Sequence, residues 1–176
     1  DINEYLDQSE KSILNISHNR KTNDFAASPE IFNNVLVKIQ QMAEQKSLIT
    51  GVETGFRDFD RITHGFQRGD LVILAARPSM GKTAVALNFA LQTAEHNRGK
   101  GAVAIFSLEM PIEQLGMRLL SAKSRVPGDH IKTGHLSNNE WTAVNEAIVD
   151  LKGLKLYMDD TPAVKVSEIF SKCRKL

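Results

Sequence analysis

The sequence predicts an α/β fold, a parallel sheet with helices on both faces. Three observations carry this. Leu71–Ala75 and Ala102–Ser107 are short continuous apolar runs, the mark of strands buried on both sides. A helical pattern follows each run, and strands alternating with helices build a parallel sheet. Between the first run and its helix lies Ala76-Arg77-Pro78-Ser79-Met80-Gly81-Lys82-Thr83, a glycine- and lysine-bearing turn of the kind that opens such a helix.

The elements follow in order. Ile2, Leu6, Ile13 and Ile16 stand near helical spacing, so residues 2–17 read as a short amphipathic helix. His18 to Ala27 is polar and aperiodic, a linker. Ser28-Pro29-Glu30 is a helix start: serine caps, proline suits the first helical position, and glutamate favours the positive end of the dipole. That helix runs to about Gln45, with Ile31, Val35, Ile39 and Met42 on one stripe and Phe32, Leu36 and Ala43 widening it. Such a face must be buried, either on its own domain or on a neighbouring subunit; the pattern admits both.

Turn signals at Thr50-Gly51, Thr54-Gly55 and His64-Gly65 lead to the strand Leu71–Ala75, the loop, and a helix from Lys82 to about Glu95. After Gly99-Lys100-Gly101 comes the second strand, and Pro111 opens a helix with Ile112, Leu115, Leu119 and Ala122 facing inward until Pro127-Gly128. Ser137 and Glu140 form a capping box for a helix reaching Leu151. Leu154–Met158 is a third strand, and Ser167 begins a last helix.

Composition bounds the function. With 176 residues, 41% hydrophobic, the chain can bury one domain's core. Basic and acidic residues number 22 and 21, which excludes a protein that coats nucleic acid by bulk charge. No apolar run is long enough to cross a bilayer, so no membrane is expected. The acidic, polar start is no signal peptide. The single cysteine, Cys173, excludes a disulfide framework and suits a reducing cytoplasm. His64, His96, His130 and His135 lack ligand spacing, so no zinc site is indicated. The first residue is not Met and the last segment stops inside a helical pattern, so a piece of a longer chain is expected.

The loop Ala76–Thr83 carries the chemistry. Successive backbone N–H groups make a nest for phosphate oxygens, and the following helix points its positive end there. Gly81 lets the backbone come close, Lys82 brings a compact positive charge, and Thr83 offers a hydroxyl to Mg²⁺. Alanine at position 76, where the phosphate-loop pattern has glycine, requires that residue to avoid positive φ. Glu109 lies just past the C-terminal end of the second strand, the edge where ligands sit in parallel sheets. It reads equally as the base that activates the attacking water and as an acidic residue near a helix start. Arg77 and Arg118 could reach the site's edge or stand in solvent, with a surface ion pair favoured for Arg118. Trp141 reads as core or interface.

Ala75–Thr83 together with Phe106-Ser107-Leu108-Glu109-Met110 resembles the bacterial replicative DNA helicase DnaB family. Thr50–Phe56, Thr133–Trp141, Asp159-Asp160-Thr161 and Lys172–Leu176 extend the resemblance over nearly the whole chain, with Phe59-Asp60 where the family has Leu-Asp. The resemblance implies a RecA-like motor domain that assembles as a homo-hexamer, encircles single-stranded DNA and uses ATP and Mg²⁺. Lys82 and Thr83 would bind phosphate and metal, and Glu109 and Lys82 would be catalytic. The helix of about residues 29–45 would dock on the adjacent protomer through Ile31, Phe32, Val35, Leu36, Ile39 and Met42. Residues 1–17 would end an N-terminal helical domain, 18–49 would be the linker, and 50–176 the front of the motor domain. A primase and a helicase loader are the implied partners. The Walker B aspartate, the arginine finger and the DNA-binding loops are expected after Leu176, and Asp159-Asp160 is a separate feature. Two rivals remain: a recombinase-like or KaiC-like ATPase, and a catalytically silent helicase-derived interaction module.

Overall fold

The computed structural model describes residues 25, 27–45 and 48–176. The helix predicted over residues 2–17 lies outside them. The chain divides between Lys46 and Ser47 into two units.

The first unit's described part is helix α1, Ser28–Gln45, opening where the Ser-Pro-Glu signal places it. Ile31, Phe32, Val35, Leu36, Ile39 and Met42 are all exposed on it.

The second unit is α2 (Arg57–Thr63), α3 (Lys82–His96), β1 (Val103–Phe106), α4 (Ile112–Ser124), α5 (Gly128–Thr133), α6 (Asn138–Lys152), β2 (Leu156–Asp159) and α7 (Val166–Cys173). β1 and β2 pair in parallel, with Val103 opposite Leu156 and Phe106 opposite Asp159. Leu87, Leu91 and Ala94 of α3 recur at helical spacing and bury against Leu115 and Leu119 of α4 and against Leu154. Ile112 is half-buried, but Ala122 is exposed: at this level α3 is met by Lys123, whose Nζ pairs with Glu95 at 2.8 Å. The capping box forms as expected, Ser137 N–H donating to Glu140 at 2.8 Å and Glu140 N–H to the Ser137 hydroxyl at 3.4 Å. Trp141 is exposed, so it does not serve the core.

The predicted strand Leu71–Ala75 is not formed. Among the described residues no chain segment pairs with it, and Leu71 and Ile73 are 87% and 79% exposed. An apolar run becomes a strand only where a neighbour satisfies its backbone groups. Leu74 and the length of β1 instead line one groove of about 520 Å³, walled also by Ala86, Leu87 and Ala90 of α3.

Ahead of this run, the segment from Thr50 to Phe66 is clasped onto α3. Phe56, Phe59 and Phe66 gather around Phe89 of α3 with ring centroids 4.8–5.6 Å from it. Asn97 Nδ2 donates to the Glu53 carbonyl at 2.9 Å. Gly55, at φ 81°, lies where a Cβ would fall 2.7 Å from Gln92 Cβ, so no side chain fits.

Candidate phosphate site at the start of helix α3

The loop Ala76–Gly81 delivers the chain into α3. Positive φ falls on Ser79 (62°) and Gly81 (85°), while Ala76 is not among the positive-φ residues. The alanine is therefore tolerated where the pattern has glycine. A Cβ at Gly81 would meet nothing within 4 Å, so the demand for glycine comes from φ. Gly81 gives α3 no side-chain cap. The first-turn N–H groups are thereby left without a capping side chain, as an anion site at a helix N-terminus requires.

Ala76, Arg77, Pro78, Ser79, Gly81, Lys82, Thr83, Ala84, Glu109 and Arg118 line a single cavity of about 530 Å³. The structure thus brings Glu109, 26 residues beyond Thr83 by numbering, to the phosphate loop. Arg118 of α4 also lines this cavity, and not merely the surface. Met80 is not in the lining; it is exposed.

Glu109 stands in the loop joining β1 to α4. The Ser107 hydroxyl folds this loop by donating to the Met110 carbonyl at 2.7 Å and accepting from Met110 N–H at 3.1 Å. Asp159 ends β2 nearby, and Asp160 follows it. Thr161 donates to Asp159 from its N–H at 2.8 Å and from its hydroxyl at 2.5 Å, and Lys172 Nζ donates to the other Asp159 oxygen. These contacts, the Lys172 one above all, lower the Asp159 carboxyl to about 2.

Sequence reasoning missed two features, one away from the site and one beside the Glu109 loop. Asp60 is 2% exposed, and its carboxyl accepts from Thr54 N–H at 3.1 Å, the Thr54 hydroxyl at 2.7 Å and Gly55 N–H at 3.1 Å. Ile112 N–H donates to Asp160 Oδ2 at 3.1 Å, tying the start of α4 to the end of β2. Asp60 follows Thr54 by six positions, so a turn signal followed by an acidic residue could have suggested the first; nothing local suggests the second.

A parallel α/β layer whose phosphate loop opens a helix, with a carboxylate at the sheet's C-terminal edge, defines a nucleotide-binding P-loop domain of RecA-like architecture. Residues 51–176 match the family described as the DnaB-like helicase C terminal domain, and the chain belongs to this family. It is 42% identical over its full length to the replicative DNA helicase DnaC of Bacillus subtilis and 40% identical to the replicative DNA helicase DnaB of Geobacillus stearothermophilus. The chain spans 38% of the length of each. Among solved structures it resembles one described as an ATPase domain, with a TM-score of 0.76 and 30% identity, covering 86% of this chain and 52% of that one. A DnaB-like replicative helicase described with its interactions with primase gives 0.71 and 28%, over 96% of this chain and 39% of that one.

Proposed function

We propose that the chain works as the front of the motor domain of a hexameric replicative DNA helicase, which couples ATP hydrolysis to translocation on single-stranded DNA and duplex unwinding. The observation that carries this is the shared cavity. Lys82, Thr83 and Glu109 line it together with the uncapped start of α3. In this reading the α3 amides and Lys82 hold the β- and γ-phosphates. The Thr83 hydroxyl holds Mg²⁺, which when bound neutralises phosphate charge. Glu109 orients the attacking water and takes its proton. Arg118 adds positive charge to the cavity wall.

The groove beside β1 supports the same reading. An apolar strand lying between Leu71–Ala75 and β1 would fill it, pair with both, and bring its C-terminal end to the phosphate cavity. The family's Walker B strand, with its aspartate, has that character. Residues 1–17 are then the end of an N-terminal helical domain, 18–49 a linker, and 50–176 the motor's front half. The exposed apolar face of α1 supports docking on an adjacent protomer. Primase and a loader are the proposed partners, and the cytoplasm the proposed location. Membership of the helicase family sets aside a recombinase-like or KaiC-like identity.

The test uses full-length protein carrying this segment. Lys82→Ala is expected to abolish ATP binding and turnover. Glu109→Gln is expected to keep ATP binding while hydrolysis falls by about 100-fold or more. Steady-state ATPase with a fluorescent ATP analogue distinguishes them, and parental turnover in either variant would refute its assigned role.

A further inference from the structure

Glu109 is carried by a loop gripped at both ends. The loop runs from Ser107 to Pro111, between β1 and α4. At its start Ser107 N–H donates to the Asp159 carbonyl at 2.8 Å. At its end Ile112 N–H, the first of α4, donates to Asp160 Oδ2 at 3.1 Å. Two adjacent residues at the end of β2 therefore hold both ends of the segment that presents Glu109. Pro111 offers no side chain to cap α4. The Asp160 carboxyl supplies that acceptor from another element, on the end of the helix where a carboxylate is favoured.

We propose that Asp160 is a positioning residue for Glu109. It does not line the phosphate cavity, and acts through the start of α4 and the loop before it. The inference rests on Glu109 being the residue that activates water. Lys82 and Thr83 hang on α3, which Asp160 does not touch through this bond, so nucleotide binding and water activation are positioned separately. Loss of Asp160 then reduces the chemical step and spares binding. A displacement of the reacting carboxylate by about 1 Å is enough to cost up to about 100-fold in rate.

The test again uses the full-length ring, read by steady-state ATPase, fluorescent ATP-analogue affinity and thermal midpoint. Asp160→Ala is expected to lower kcat at least about tenfold while KM and analogue affinity stay within about twofold. Asp160→Asn keeps an acceptor oxygen at the same reach and is expected to restore most of kcat. In a Glu109→Gln background, Asp160→Ala is expected to lower the residual turnover no further, because its effect passes through Glu109. A purely structural role predicts the same additional loss in both backgrounds, or equal loss of affinity and kcat, and either result overturns the proposal. If Asp160→Ala does not fold, Asp160→Glu decides: a carboxyl one methylene too long should lower kcat at an unchanged midpoint, and parental kcat overturns the proposal. Normal hydrolysis by Glu109→Gln alone would instead sink the reading of Glu109 itself.

Discussion

Asp60 shows how much one side chain can hold. It is buried, and its two oxygens collect Thr54 N–H, the Thr54 hydroxyl and Gly55 N–H. Thr54 is itself fully buried, so none of its donors has water as an alternative. Asp60→Ala removes the acceptor and strands the donors, which is expected to cost about 3 kcal/mol. Asp60→Asn should recover only part, because its NH₂ would face N–H donors. Urea unfolding of the second unit, residues 47–176, measures both; a loss under about 1 kcal/mol for the alanine variant would show that water replaces the carboxyl. At the phosphate site the corresponding demand falls on backbone: Gly81 is needed for its φ of 85° and Ala76 for nothing beyond an ordinary one.

At the scale of elements, local signals predicted local structure. The capping box at Ser137, the start of α1 and the loop into α3 are each read from a few neighbouring residues, and each forms where expected. The loop Ala76–Thr83 made most of the candidate site legible for the same reason. Leu71–Ala75 failed as a strand because strand formation depends on a partner far away in the chain, which apolarity alone does not supply. The Ile112–Asp160 bond was invisible because its partners are 48 residues apart. Helix α2 was missed because seven residues are too few to show a period.

The capping box also makes α6 sensitive to acid. Glu140 falls from an ordinary 4.5 to about 2, first through the Ser137 N–H, then through His130 and the Ser137 hydroxyl. A carboxyl lowered on folding stabilises the fold above its unfolded value and loses that contribution as pH falls through the folded one. The contribution of this cap is therefore full above about pH 4.5 and is lost between there and about pH 2. Glu140→Gln cannot titrate, so its stability should fall less steeply with acid over that window. Urea midpoints for both proteins across the upper part of that window make the comparison, and parallel curves would mean the cap does not couple to folding.

Across the whole molecule, apolar surface is distributed in a way that fits a segment of a larger assembly. Leu71 and Ile73 are open to solvent, Leu74 borders the groove beside β1, and α1 presents Ile31, Phe32, Val35, Leu36, Ile39 and Met42 as exposed side chains. Exposed apolar side chains, grouped on each unit in this way, favour association. Two contexts give opposite expectations for one double variant, Leu71→Ser with Ile73→Ser. In the 176-residue polypeptide both side chains are exposed, so the variant should fold as before and self-associate less, seen as a smaller mass by light scattering. In the full-length protein proposed above, a strand between this run and β1 would make Leu71–Ala75 an interior strand of a parallel sheet, whose two faces are both covered. Removing both side chains there should cost about 1.5–3 kcal/mol each and lower the thermal midpoint. An unchanged midpoint in the full-length protein would mean that the groove is filled by something other than a strand pairing with Leu71–Ala75.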